Sequence, residues 1–129
     1  MTLEEFNSKF LYKSDIANHK RKEYWKVIEP DEDGIYAGDC EDFALTVRKL
    51  IPKYADWDIW FCKVHSSQEG HAVLRKNDIV LCNMCKYETS LKDYEFKYMA
   101  TSWQKYWKIA IWYKMTMAKL YRFIDKDRK

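Results

Sequence analysis

The stretch "GIYAGDCEDFALTVRKLI", residues 34–51, decides how this chain is read. Phe43, Ala44, Val47, Leu50 and Ile51 recur at helical spacing, and Pro52 stops the run. The spacing predicts an amphipathic helix from Cys40 to about Ile51. Asp39 is a natural N-cap, so Cys40 falls at the first helical position, on the inward face with Phe43. A thiol at that position meets unpaired backbone N–H groups and the positive end of the helix dipole, which favour the thiolate. The same N–H groups suit an oxyanion. Asp39, Glu41 and Asp42 act the other way and raise the thiol pKa unless a cation offsets them.

Upstream, Thr2 with Glu5 three residues later predicts a capped helix over residues 2–12. Ile16, Ala17, Tyr24, Val27 and Ile28 predict a second helix over residues 15–28, ended by Pro30. Downstream the period changes. Asp56 to His65 reads as a strand, and Gly70 to Met84 as a hairpin around "RKND". "YEFKYMA", residues 94–100, reads as a further strand. Trp103, Trp107, Ala110, Tyr113, Met117, Leu120 and Ile124 predict a long C-terminal helix capped by Ser102, with that stripe as core. This order gives an α+β fold in one domain, residues 1–129.

Acyl transfer by a cysteine needs a base within hydrogen-bond reach and a group that orients it. His71 is the best-placed base: it follows Gly70 at the start of a strand, whereas His19 lies in the polar "HKRK" run and His65 ends a strand. Hairpin register decides what faces it. A two-residue turn at Lys76-Asn77 sets His71 opposite Cys82; a three-residue turn, Lys76 to Asp78, sets it opposite Asn83. Asn accepts well from an imidazole N–H, and Cys accepts poorly.

Composition narrows the partners. The 129 residues carry a net charge of +3 with acids and bases interspersed, which gives no argument for nucleic acid. No apolar run approaches the roughly 18 residues that span a membrane. The acidic N-terminus lacks an apolar leader, so the expected location is cytoplasmic, with the four cysteines reduced. A competing reading uses the other thiols. Cys62-x2-His65 and Cys82-x2-Cys85, sixteen residues apart, have zinc-ribbon spacing and would make a structural zinc module that binds a partner. Against it, strand-like runs send positions i and i+3 to opposite faces.

"GDCEDFAL", "GHAVL" and "VLCNM" together resemble the bacterial transglutaminase-like cysteine peptidases of the papain-like, transglutaminase-core superfamily. Gly38 to Ala44 match the family's first motif in full; the histidine motif is shorter, and the C-terminal helix is not covered. The resemblance implies a papain-like core with the nucleophile helix packed on a small antiparallel sheet, to which the periodicities above add flanking N-terminal helices and a long C-terminal helix. It implies Cys40 as nucleophile and His71 as base of a thiol hydrolase acting on a protein or peptide. The third position falls on Cys82 or, one residue on, Asn83, which we take as the orienting residue. No cofactor is required for such chemistry. Exported members bind calcium through acids that fall on Asp39 and Glu41 here, and Asp31 and Asp33 could complete an oxygen shell. The compact form looks similar to versions encoded by bacteriophages, which would place it in the host cytoplasm. The same core also supports amide transfer, deamidation and inactive binding modules.

Overall fold

The computed structural model describes residues 1–13, 25–65 and 67–127. Its elements in chain order are α1 (Leu3–Lys9), β1 (Phe10–Tyr12), β2 (Tyr36–Gly38), α2 (Cys40–Leu50), a 3-10 turn (Pro52–Tyr54), β3 (Asp58–Val64), β4 (Ser67–Lys76), β5 (Ile79–Leu81), β6 (Thr89–Ser90), α3 (Leu91–Tyr98), β7 (Thr101–Lys105) and α4 (Lys108–Asp127). The larger sheet has the order β6-β5-β4-β3-β7, and its pairings are all antiparallel. β1 and β2 form a separate parallel pair. The fold is therefore mixed α+β.

Strand alternation divides the interior in two. Ile59, Ala72, Leu74 and Leu81 lie in one cluster with Phe43, Ala44 and Val47 of α2. Cys62, Val73, Val80 and Cys82 lie in a second with Tyr94 of α3. The sheet is thus sandwiched between α2 and α3. Aromatic edges fill the first cluster: Phe6 stands 5.5 Å from Phe43 and 5.1 Å from Tyr36, centroid to centroid. On the other face, Arg75 stacks over Trp60 at 4.4 Å and Trp103 at 5.1 Å, tying β7 to the central strands.

Several sequence expectations change here. Thr2 does cap α1, its side chain accepting from the Glu5 N–H, but the helix ends at Lys9 and the chain turns into β1. Of the expected helix over residues 15–28, residues 14–24 lie outside the described residues, as do His19 and the "HKRK" run. Residues 25–28 are irregular, not helical. Trp25 and Ile28 are nonetheless buried, and the Ile28 N–H donates to Thr46 Oγ1 of α2 at 2.9 Å. Residues 94–100 are not a strand. Ser90 accepts from the Asp93 N–H and starts a helix that Met99 closes in the left-handed region.

The C-terminal helix begins at Lys108, five residues later than a cap at Ser102 would start it. Ser102 is no cap; it has φ of 60° inside β7, which supplies β3 with an edge partner. The buried face of α4 is rotated accordingly: Ile111 and Ala118 are buried, whereas Trp107, Tyr113 and Leu120 of the expected core stripe are exposed. Among the described residues no helix is long and apolar enough to cross a membrane.

The turn of the β4–β5 hairpin is Asn77-Asp78, one residue beyond the expected two-residue turn and one residue shorter than the expected three-residue turn. Asn77 takes φ of 52°, which asparagine tolerates in a tight hairpin. The pairs run Lys76↔Ile79, Arg75↔Val80 and Leu74↔Leu81, and there β5 ends. Neither Cys82 nor Asn83 pairs with His71 through the ladder. His71 pairs instead with Cys62 on β3, next to a bulge where the β3–β4 register shifts.

Gly70 sits in that bulge with φ of 93°, and a Cβ there would fall 1.8 Å from Phe61 Cζ. Gly70→Ala should therefore meet both backbone strain and the half-buried Phe61 ring. We expect a loss of about 2 kcal/mol or more, read as a lowered urea midpoint with unchanged slope.

Candidate functional site

The start of α2 is built by a reciprocal capping box. Asp39 Oδ1 accepts from the Asp42 N–H at 3.2 Å, and Asp42 Oδ2 accepts from the Asp39 N–H at 3.3 Å. Both acids are buried. Gly38 makes the return of Asp42 feasible, because a Cβ at residue 38 would lie 2.7 Å from Asp42 Cβ. Gly38, Asp39 and Asp42 of the "GDCED" motif thus shape the helix start, and they fix Cys40 at its first position.

The Cys40 sulfur makes two polar contacts. Its thiol donates to Glu41 Oε2 at 3.4 Å, and its sulfur accepts from the Ala72 N–H at 3.5 Å. The second contact has a topological cause. β5 ends at Leu81, so the ladder stops before it reaches Ala72. Ladder N–H groups point within the plane of a sheet. The sulfur therefore sits at the uncovered edge of β4, one residue along the backbone from His71.

His71 is 6% exposed, and its Nε2 has no hydrogen-bond partner among the described residues. Alternation sends Ala72 and Leu74 toward α2 and Val73 toward the second cluster, so His71 leaves the strand on the side of Cys62. No hydrogen bond joins the imidazole to the Cys40 sulfur. Two features relate His71 to α2 all the same: the shared β4 edge, and the Asp39 carboxylate, which favours the imidazolium.

Of the two candidates for the orienting position, Cys82 turns into the second cluster. It is fully buried, with Sγ 3.2 Å from the Tyr94 hydroxyl oxygen. Asn83 is half-buried, and its Oδ1 has no partner among the described residues. Unpaired buried polar atoms are rare in folded proteins. Trp25 Nε1 and Trp103 Nε1 are further cases here; His71 Nε2–H is a potential donor and Asn83 Oδ1 an acceptor.

Electrostatics differ from the sequence expectation of an activated thiolate. Burial first, then the Glu41 carboxylate, pushes the Cys40 thiol well above its usual range, and the Ala72 N–H only partly offsets them. Burial pulls His71 down to about 4, opposed by Asp39. The thiol and the imidazole both rest neutral.

The acids expected around an ion serve local turns. Asp39 caps α2, Glu41 accepts from Cys40, and Asp31 Oδ1 accepts from the Asp33 and Ile35 N–H groups at 2.9 Å each. Among the described residues no three His, Cys, Asp or Glu side chains converge as an ion would require, so the calcium set does not fit. The zinc set fares alike: Cys62 is buried on β3, and His65 is exposed at its end.

Two contacts escaped sequence reading. The Glu41–thiol bond has no sequence signature. The Asp39-x-x-Asp42 spacing does carry one: Asp39 reads as an N-cap, and Asp42 three residues on completes a capping box in addition to its charge. Comparison with models of known protein families and with curated protein sequences gives no match to the chain.

Neutral burial of His71 has a consequence for stability. Its folded pKa of about 4 lies below the ordinary 6.5, so between those values the unfolded chain binds more protons. Stability should fall as pH drops through that window, by up to about 3 kcal/mol. Urea titrations at pH 7 and pH 5 should show this acid loss in the parent protein and a flatter response in His71→Gln.

Proposed function

We propose that the chain is a thiol hydrolase of transglutaminase-like type, cleaving a peptide or amide bond in a protein or peptide substrate. Cys40 is the nucleophile, His71 the proton carrier and Asn83 the residue that orients the imidazole. The observation that carries this reading is the Cys40 sulfur, fixed at a capped helix start and held at the β4 edge by the N–H next to His71. The unpaired His71 Nε2 and Asn83 Oδ1 add support, since each is what the other lacks.

The reaction starts from neutral partners. Sulfur attacks the substrate carbonyl carbon while the thiol proton passes to the imidazole. Net charge does not change in that transfer, so no proton is needed from solvent. Asp39 favours the imidazolium that forms. On this reading the His71 ring swings from the Cys62 side round the β4 edge to reach the sulfur, and the bulge before it is where the strand can re-aim that side chain. The Cys40 N–H, at the first helical position, has no intrahelical acceptor and faces the developing oxyanion. The imidazolium then protonates the leaving amine. Water, deprotonated by His71, releases the acyl group. An amine acceptor in place of water would give amide transfer from the same acyl-enzyme.

A neutral resting thiol also sets the pH response. Reaction should rise as pH climbs through the His71 pKa of about 4, where the neutral imidazole base forms, and stay level above it until the elevated thiol pKa is approached.

A p-nitrophenyl ester tests the assignment in a Cys85→Ser background, which removes a second reactive thiol. The expected outcome is a p-nitrophenolate burst with a single acyl adduct on Cys40 by peptide mass mapping. Cys40→Ala should abolish it, and His71→Ala should slow acylation about 100-fold or more. An adduct that persists in Cys40→Ala, or a rate indifferent to His71, would remove the proposal.

A further inference from the structure

The second cluster holds a pair of thiols that the hydrolase reading does not use. Cys82 to Cys85 form a turn, closed by the Lys86 N–H donating to Cys82 O at 2.8 Å. A strand would have separated residues three apart; a turn of this kind sets them on the same side. The sulfurs are accordingly 3.7 Å apart, and the Cys82 N–H donates to Cys85 Sγ at 3.3 Å. The turn is held from outside as well, since Asn7 Nδ2 donates to Lys86 O at 2.7 Å. A disulfide requires about 2.05 Å between sulfurs, so closure needs a shift of under about 2 Å.

The two thiols are unequal in the way an exchange pair requires. Cys82 is fully buried, and Cys85 is part-exposed. Cys85 is held below the ordinary thiol range by the Cys82 thiol and N–H that donate to it. Cys82 is held well above it, by burial first. Cys62, in the same cluster, is pushed up to about 12 by burial and has no sulfur contact with the pair among the described residues. Thiolate character and access together select the attacking sulfur.

We propose that Cys82 and Cys85 are a thiol–disulfide exchange site for small disulfides of the glutathione type, with Cys85 attacking and Cys82 resolving. The Cys85 thiolate bonds to one sulfur of the small disulfide, whose S–S bond breaks and releases the first thiolate. That thiolate takes the Cys82 proton. The Cys82 sulfur then bonds to Cys85 Sγ, the mixed disulfide breaks, and the second small thiolate leaves, protonated by solvent. The protein dithiol is oxidised and one small disulfide is reduced to two thiols. This chemistry is independent of Cys40.

The test is incubation of the full chain with oxidised glutathione at pH 7, acid quench, alkylation of remaining thiols and peptide mapping. The expected product has lost two hydrogens, links Cys82 to Cys85, and leaves Cys40 and Cys62 alkylated. Cys82→Ser should stop at a stable glutathione adduct on Cys85, and dithiothreitol should restore the starting mass. Cys85 should react at least about tenfold faster than Cys62. Glutathione that persists on Cys85 of the unsubstituted chain would overturn the proposal. So would a disulfide to Cys40 or Cys62, or equal reactivity of Cys85 and Cys62.

Discussion

The closed capping box between Asp39 and Asp42 is the constraint on which the rest of the site depends. It terminates β2, starts α2 and fixes a cysteine at the first helical position. Because both carboxylates are buried, each must find its backbone N–H, and the box supplies one for each. Because Asp42 folds back over residue 38, that residue must lack a side chain. α2 then packs Phe43, Ala44 and Val47 against the β4 face, which carries the Cys40 sulfur to the one stretch of β4 that β5 leaves uncovered. A motif readable as catalytic is thus, residue by residue, mostly a device for positioning.

Burial sets the chemistry that this position allows. A helix N-terminus favours a thiolate by roughly the strength of a half charge in the first turn. Enclosure of the sulfur and an adjacent Glu41 oppose it, and they win. The imidazole is buried too and stays neutral. Both groups therefore rest uncharged, and in the proposed mechanism the proton moves only when a carbonyl arrives. On the opposite side of the sheet the balance reverses for Cys85, where hydrogen bonds from Cys82 outweigh burial. Of the four cysteines in one small chain, burial thus holds three above the usual thiol range and hydrogen-bond donors hold Cys85 below it.

What could be read from sequence follows the strength of local signals. α2 was legible because cap, apolar stripe and terminal proline agree. β3 and the hairpin were legible from their β-branched and aromatic runs. Residues 94–100 were misread because Tyr and Phe suit strands, whereas Ser90 with Asp93 supplies a cap that makes a helix. The start of α4 was misread because Trp103 and Trp107 fit a helical period by coincidence; β3 needed an edge partner, a non-local demand. At the site, the Cys40, His71 and Asn83 candidates came from motif and chemistry. The register that relates them hung on one left-handed asparagine, Asn77, which sets the turn at Asn77-Asp78 and gives neither expected pairing.

The central claim is that the Cys40 sulfur and the His71 imidazole act on one carbonyl at the β4 edge. A crystal structure of the protein treated with a peptide aldehyde tests it most directly. The account predicts a thiohemiacetal on Cys40, a His71 ring nitrogen within hydrogen-bond distance of the reacting atoms, and Asn83 Oδ1 on the other nitrogen. An unmodified Cys40, or an adduct beside a His71 ring still packed against Cys62, would contradict it.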